Sequence, residues 1–220
     1  MFLKMALGSI TKKIFGQVWL KFKHVNTETC FCLLATEGSK DEVRFAARQI
    51  KSFVKKNSGR VLSASYGEKW QRERFELPYL RDDLMDFCFF IDTLETAASW
   101  SRIENIHGEM ARAFSGPGSD EGSLIVSCHV SHAYHDGASL YFTFLGVQDR
   151  GRELEQWGAI KKKATDIILD NGGVLSHHHG IGYDHKQWME RAQGVLGIEV
   201  FKNIKQTLDP ENMMNPGKVF

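Results

Sequence analysis

The sequence has no long apolar run, no excess of charge of either sign and few cysteines. Its 28 basic and 27 acidic residues leave a net charge of +1, so composition gives no electrostatic case for binding nucleic acid. No apolar run approaches the roughly 20 residues that span a bilayer. The four cysteines include no C-x-x-C pair and no disulfide framework, which predicts reduced thiols, a cytoplasmic location and no metal site.

Acidic residues are also missing from residues 1–27, where lysines are interleaved with apolar side chains. This lead segment predicts a basic amphipathic helix whose apolar face docks on another protein. Contact with a membrane surface is the second interpretation, which would make the protein membrane-peripheral, and a transit peptide is the third. Gly8 and Gly16 argue against one long uninterrupted helix.

The chain opens, after the lead segment, with a β-α-β pattern. Apolar runs of strand length at 29–36 and 60–65 flank a helix with Ser39 as its predicted N-cap and a stop near Asn57. This opening predicts the first half of a ferredoxin-like sandwich. The predicted fold class is therefore α+β, an antiparallel sheet packed by helices, with a ferredoxin-like domain over residues 28–150.

The rest of the chain continues the alternation of strands and helices. His135-Asp136-Gly137 predicts a hairpin turn. Residues 151–220 are predicted to hold helices, a histidine-rich loop and a tail. The predicted strands are 86–95, 123–134 and 138–146, and the predicted helices are 99–114, 152–169 and 195–208.

Three adjacent histidines, His177, His178 and His179, run into a loop that contains Gly180 and Gly182. On an extended segment successive side chains alternate between faces, so we expect His177 and His179 to face one way and His178 the other. The loop then predicts a site with two walls, or one ring in the site and its neighbours bracing it. A solvated, accidental cluster is the alternative.

Two further residues suggest chemistry. Tyr141 lies on a predicted strand, where it either fills core or acts as an acid or base whose pKa of about 10 is lowered by nearby cations. Arg81 follows a proline turn, where it is either a surface residue or a bidentate partner for a carboxylate or phosphate. His129, His132 and His135 lack a spacing that defines a shared site, and we expect them at a rim or surface.

Several stretches, taken in order, resemble the carboxyl-terminal part of the alkyldihydroxyacetonephosphate synthase family, which are vanillyl-alcohol-oxidase-type flavoproteins. The stretches are Arg74–Asp82, Thr93–Ala97, the strand of Tyr141, Gly172-Gly173 with Ser176–Gly180, and Asp209–Asn212.

The resemblance implies FAD as cofactor and a cap domain over its isoalloxazine ring. It implies that Tyr141 is the base, that His177, His178 and His179 act on the substrate, that Arg81 binds it, and that Asn215 and His179 contact the cofactor. The implied reaction exchanges acyl for alkyl on dihydroxyacetone phosphate through a flavin N5 adduct. The family's FAD-binding domain has no counterpart here, so we expect a partial protein whose partners are a small-molecule substrate and that missing domain or subunit. A homodimer is left open.

Two alternatives stay open beside that reading. Gly180–Gly182 and Asn215–Lys218 resemble flavin-linked 2-hydroxyacid oxidases of the glycolate and D-lactate type, which carry Glu-His-Gly where this chain has His178-His179-Gly180. The chain could also be a non-catalytic cap domain that only binds or regulates.

Overall fold

The computed structural model describes residues 30–115 and 124–220, and it divides into one compact unit ending at Phe75 and a second beginning at Glu76. The predicted lead segment at 1–27 lies outside the described residues.

The first unit contains two helices, α1 (Lys40–Lys56) and α2 (Ser65–Glu73). Helix α1 begins as predicted, because Ser39 and Glu42 form a reciprocal capping box that satisfies two backbone N–H groups of the first turn. It ends at the C-cap Asn57, whose side chain donates to the carbonyl of Phe53.

The two strands predicted in this unit were wrong. Residues 30–36 and 60–64 adopt no strand within the described part of the unit, and Ser65 begins α2. A strand needs a hydrogen-bonded neighbour and a surface to cover, whereas the apolar run here leaves Phe31 60% and Leu34 65% exposed. Strand-like composition without a partner therefore does not form a strand.

The second unit is built on an antiparallel sheet of three strands, β1 (Phe89–Ser99), β2 (Ile125–Ala133) and β3 (Gly137–Val147), in the order β1-β3-β2. A 3-10 turn at Leu77–Tyr79 and a short helix α3 (Leu80–Asp86) precede it. Helices α4 (Trp100–Ser115) and α5 (Glu153–Asp170) follow β1 and β3, close to their predicted bounds.

Residues 174–177 act as an irregular fourth strand on the free edge of β1. The N–H of Val174 donates to the carbonyl of Ala97 at 2.9 Å, and the N–H of His177 donates to that of Glu95 at 3.1 Å. The element order is then β-α-β-β-α-β, with the fourth strand beside the first. The α+β fold class is confirmed, but the ferredoxin-like pattern begins at β1 rather than at the opening of the chain.

The sheet has two chemically different faces. Even-numbered positions of β1 and β3 face α4 and α5 and form the core, because side chains alternate along a strand. Odd-numbered positions, among them Glu95 and Tyr141, occupy the other face. The core comprises Phe90, Leu94, Ile106, Met110, Phe114, Leu124, Leu140, Phe142, Phe144, Ile160, Ala164 and Ile168.

The chain closes with helix α6 (Met189–Leu208), which follows a 3-10 turn at Lys186–Trp188. Gly194, with φ 73° and ψ 164°, interrupts this span, so residues 195–208 form a separate helical run that agrees with the predicted bounds. The tail is held against the segment after the histidines, since the Tyr183 hydroxyl donates to the carbonyl of Pro216 and Lys186 Nζ donates to that of Gly217. None of the helices in the two described stretches is long and apolar enough to cross a membrane.

We predict that Gly173→Ala destabilises the second unit by about 1–3 kcal/mol, because a new Cβ overpacks the core. That Cβ would lie 2.8 Å from Ile168 Cγ2 and 2.9 Å from Thr96 Oγ1. Urea unfolding measures the change. Gly158→Ala, within α5 where a new Cβ meets nothing within 4 Å, is the control and should stabilise by up to about 1 kcal/mol. Equal effects at both positions would contradict the packing argument.

Candidate functional site

A buried carboxylate lies at the centre of the sheet face that the helices leave uncovered. The side chain of Glu95 is 1% exposed. Ser131 Oγ donates to its Oε1, and Ser131 Oγ is also 2.6 Å from Ser139 Oγ. Because the proton of Ser131 goes to the carboxylate, Ser139 is the donor in the second bond, and its oxygen in turn accepts from the N–H of His132 at 2.9 Å. A relay of hydroxyls thus holds one oxygen of Glu95.

The three adjacent histidines all converge on Glu95. His177 Nδ1 is 3.3 Å from Oε1, His178 Nδ1 is 3.6 Å from Oε2, and His179 Nε2 is 3.2 Å from Oε2. The His178 and His179 side chains are 55% and 41% exposed, so the rings cover the carboxylate and present their outer edges to solvent.

The predicted alternation of the three rings was wrong, and the backbone explains why. His178 has φ 47°, and the N–H of His179 donates to the carbonyl of His177 at 2.6 Å, which closes a three-residue turn. A left-handed residue at the centre of a turn ends the extended geometry on which alternation depends. All three rings therefore reach one target.

A β-bulge adds a fourth imidazole. The pairing of β2 with β3 shifts between Val130 and His132, so that Ser131 is an extra residue in its strand. Both Ser131 and His132 consequently approach the carboxylate, and His132 Nδ1 lies 3.8 Å from Glu95 Oε1. His132, which its spacing did not assign to a site, belongs to this cluster.

Tyr141 lies directly beside Glu95, its partner in the register of β1 and β3. Its ring stacks on His129 with centroids 4.9 Å apart and meets His179 edge-on at 6.1 Å. A second phenol, that of Tyr134, hydrogen-bonds His177 Nε2 at 3.1 Å. The structure agrees with the prediction that Tyr141 and Thr143 share one face of the strand. Both are half-buried, whereas Phe142 and Phe144 on the opposite face are buried.

The structure does not bring every predicted residue to this cluster. Arg81 lies exposed on α3, and among the described residues no hydrogen bond or ion pair joins it to the histidines. Asn215, with φ 48°, lies exposed in the tail, where its carbonyl accepts from the N–H of Lys218. The roles predicted for Arg81 and Asn215 stay predictions.

The electrostatics of the cluster favour an ionised carboxylate. Burial raises the pKa of Glu95, but the hydrogen bond from Ser131, the charge of His178, the hydrogen bond with His177 and the charge of His179 outweigh it and hold the pKa below its ordinary value of 4.5. The outer edges of the imidazole rings can exchange protons or bind an anion, while Glu95 holds the rings in place.

Sequence reasoning missed Glu95, Ser131 and His132. The sequence separation between Glu95 and His177 is 82 residues, so no local spacing connects them. The pattern of β1 gave no clear signal either, because polar residues occupy both its even positions, at Asp92 and Thr96, and its odd ones, at Thr93 and Glu95.

The fold and the cluster define an α+β domain that carries acid–base side chains on one sheet face. The family described as FAD linked oxidases, C-terminal domain, matches residues 12–219, and the chain belongs to that family.

Individual relatives show which members of this family the chain is similar to. The chain is 35% identical over 199 residues to an alkyldihydroxyacetonephosphate synthase of Dictyostelium discoideum, covering 90% of this chain and 32% of the relative. A solved structure of alkyldihydroxyacetonephosphate synthase is 30% identical, with a TM-score of 0.57 over 83% of this chain and 30% of its own. A shorter match, 47% identical over 67 residues, links 30% of this chain to 14% of a probable mitochondrial D-lactate dehydrogenase of Danio rerio. The chain thus spans about a third of the synthases that it matches.

We predict that Glu95→Gln lowers stability at neutral pH by roughly 1–3 kcal/mol, because a charged acceptor of hydrogen bonds is lost from a buried site. The folded-state pKa of Glu95 is lowered, so its contribution is fully present above 4.5 and is lost as pH falls through the lower folded value. Unfolding midpoints of the wild type and the variant should therefore converge on the acid side of 4.5. The control is Glu104→Gln, on an exposed position of α4. A difference in unfolding midpoint between wild type and variant that persists unchanged at acid pH would show that the charge of Glu95 does not stabilise the fold.

Proposed function

We propose that this chain is the substrate-facing part of an FAD-dependent transferase that exchanges the acyl chain of acyl-dihydroxyacetone phosphate for an alkyl chain. The observation that carries the proposal is the meeting of Tyr141, Glu95 and the three histidines on one sheet face. The similarity to the Dictyostelium synthase over 90% of the chain supports this substrate class. Such an enzyme makes an ether lipid precursor.

The chemistry of the cluster fits the reacting end of a flavin site. Imidazoles and a phenol are acid–base groups, whereas a dinucleotide's pyrophosphate is held by glycine-rich loops and helix N-termini. We therefore assign the cluster to the substrate that lies beside the flavin ring, with His179 as the residue nearest to that flavin ring. FAD binding is assigned mainly to another domain or subunit. Bound FAD would supply the electrophilic ring on which the exchange depends.

Tyr141 is the base in this proposal. Deprotonation of a phenol near neutral pH requires cations that stabilise the phenolate. The ring of His179 is 6.1 Å from that of Tyr141, and its Nε2 is 3.2 Å from Glu95 Oε2. His179 is thus suited to assist Tyr141 when Tyr141 takes the proton from the substrate carbon.

The remaining residues bind the substrate. His178 and His179 expose ring edges that can donate to a phosphate once protonated, and Glu95 offsets part of their charge. Arg81, on the exposed surface of α3, is proposed to hold the phosphate through two parallel hydrogen bonds.

A second candidate is oxidation of a 2-hydroxy acid. The short stretch of 47% identity with the probable D-lactate dehydrogenase favours it. The same base and cations would then act on a substrate that carries a carboxylate in place of a phosphate ester. The similarity to the synthases, which extends over more of the chain, and the three adjacent histidines favour the exchange of acyl for alkyl.

The role of Tyr141 can be tested in a chimera in which this chain replaces the matching third of the Dictyostelium synthase. We expect Tyr141→Phe to lower the rate of exchange by a factor of about 10²–10⁴, because one general base is lost. Release of the acyl chain and incorporation of labelled fatty alcohol measure that rate. Retained FAD and an unchanged Tyr79→Phe variant, whose side chain is 72% exposed, are the controls. Near-normal turnover of the Tyr141→Phe variant would show that Tyr141 is not the base and only packs in its strand.

The two candidate reactions are distinguished by their electron balance. We expect the same chimera to exchange acyl for alkyl without reducing an external acceptor, because the exchange has no net redox change. Arg81→Lys should raise the KM for acyl-dihydroxyacetone phosphate, since a point charge replaces a planar fork, whereas the exposed Arg48→Lys should not. Reduction of the acceptor by D-lactate or glycolate, without exchange, would favour the second candidate.

A further inference from the structure

Tyr134 connects the hairpin between β2 and β3 to the cluster around Glu95. Its phenol oxygen lies 3.1 Å from His177 Nε2. The N–H of Tyr134 donates to the carbonyl of Gly137 at 2.8 Å, and the carbonyl of Tyr134 accepts from Trp100 Nε1 at 3.2 Å. Because both backbone groups are held, the half-exposed side chain of Tyr134 presents its hydroxyl to His177 from a fixed position.

The contacts of His177 determine which of its ring nitrogens carries a hydrogen. Its Nδ1 is hydrogen-bonded to Glu95 Oε1 at 3.3 Å. Since the pKa of Glu95 is held below its ordinary value of 4.5, this carboxylate is ionised at neutral pH and can only accept. His177 Nδ1 is therefore the donor. Nε2 of the neutral ring is then an acceptor, and the Tyr134 hydroxyl donates to it.

The same reasoning extends to His178. Its Nδ1 is 3.0 Å from Nδ1 of His177, and hydrogens on both nitrogens would collide. Because His177 Nδ1 carries a hydrogen, His178 Nδ1 accepts, and the neutral His178 ring has its hydrogen on Nε2. The 3.6 Å between His178 Nδ1 and Glu95 Oε2 is too long for a competing hydrogen bond. The side chain is 55% exposed, so this Nε2 is a donor on the solvent side of the cluster.

His179 is turned the other way. Its Nε2 lies 3.2 Å from Glu95 Oε2, where a lone pair would face a negatively charged oxygen, so the hydrogen belongs on Nε2. Nδ1 of the neutral ring is then an acceptor. The rings of His178 and His179 are neighbours, with centroids 4.5 Å apart. Side by side, they offer one hydrogen-bond donor and one acceptor.

A hydroxyl group matches this pair. Its oxygen can accept from His178 Nε2 while its hydrogen is donated to His179 Nδ1, whereas an ionised carboxylate can only accept. In the proposed exchange one substrate is an alcohol, whose oxygen bonds to the carbon that the acyl oxygen has left. The O–H bond of the alcohol breaks in that step, a carboxylate leaves and one proton is released, so the hydroxyl needs an acceptor for its hydrogen.

We propose that Tyr134 is a positioning residue: with Glu95 it fixes the orientation and tautomer of His177, and through His177 it makes His178 the donor of a subsite for an alcohol hydroxyl. Tyr134 acts through His177 and does not itself contact the alcohol. The identity of the alcohol rests on the proposed function. The positions of the hydrogens do not, because they follow from contacts within this chain alone.

The hydrogen positions can be read by nuclear magnetic resonance in the 220-residue chain labelled with nitrogen-15 histidine. At pH about 8, above the ordinary histidine pKa of about 6.5, we expect the hydrogen of His177 on Nδ1 and that of His178 on Nε2. Tyr134→Phe should move the His177 Nε2 resonance toward that of a nitrogen without a hydrogen bond and give His178 a mixture of tautomers. The resonances of His107, exposed on α4, should not move.

The consequence for the alcohol can be measured in the chimera with the Dictyostelium synthase. Tyr134→Phe should raise the KM for fatty alcohol about 3–10-fold, the effect of losing one neutral hydrogen bond. Release of the acyl chain in the first turnover, measured without alcohol, should be unchanged, because Tyr141 is still present. Tyr79→Phe, whose side chain is 72% exposed, is the matched control and should alter neither quantity.

Three results would overturn the inference: a hydrogen on Nε2 of wild-type His177, a Tyr134→Phe variant with unchanged His177 and His178 resonances, or equal slowing of acyl release and alcohol incorporation. The last would mean that Tyr134 supports the whole site rather than the alcohol subsite. A wild-type chimera that exchanges nothing would contradict the proposed function and the alcohol as ligand, and the resonances would still decide where the hydrogens lie.

Discussion

The structure depends on a carboxylate that is buried on a sheet and must be paired. Removing Glu95 from water would cost several kcal/mol if nothing compensated for it. Ser131 and His177 contact Oε1, whereas His178 and His179 contact Oε2, and these partners come from segments far from β1 in the sequence. Strand β1 supplies the carboxylate, the bulge in β2 supplies Ser131 and His132, and the loop after α5 supplies the three adjacent histidines. The pairing therefore requires the sheet, the bulge and the loop to form together.

The fold provides that arrangement through an incomplete fourth strand. Residues 174–177 pair with β1 for only two backbone hydrogen bonds before the chain turns at His178. A longer strand would have carried alternate histidines to opposite faces. Gly173 allows the close approach to Thr96 and Ile168 that starts this segment, and Thr96 Oγ1 donates to the carbonyl of Val174 at 2.6 Å. Short pairing followed by a left-handed turn is thus the structural basis of the cluster.

Sequence reasoning succeeded where the signals are local. The N-cap at Ser39, the hairpin at 135–137 and the helix at 153–170 each depend on neighbouring residues, and all are close to their predicted places. It failed where the outcome depends on a partner. The runs at 30–36 and 60–64 have strand composition but nothing to pair with, whereas Glu95 and His132 acquire their roles only from distant segments. The histidine loop was found and its geometry was missed, because a positive φ at a non-glycine residue has no sequence signature.

One further consequence concerns how the buried carboxylate supports the histidines. The desolvation of Glu95 is offset by hydrogen bonds that exist whatever lies at Oε2. Any positive group that reaches Oε2 therefore gains the attraction of a fixed, buried anion without causing further reorganisation. His178 and His179 contact an oxygen of a carboxylate that Ser131, and behind it Ser139, already holds in place. The exposed edges of the two rings are therefore presented from a preorganised support, so a bound molecule can contact them without a rearrangement of the buried charge.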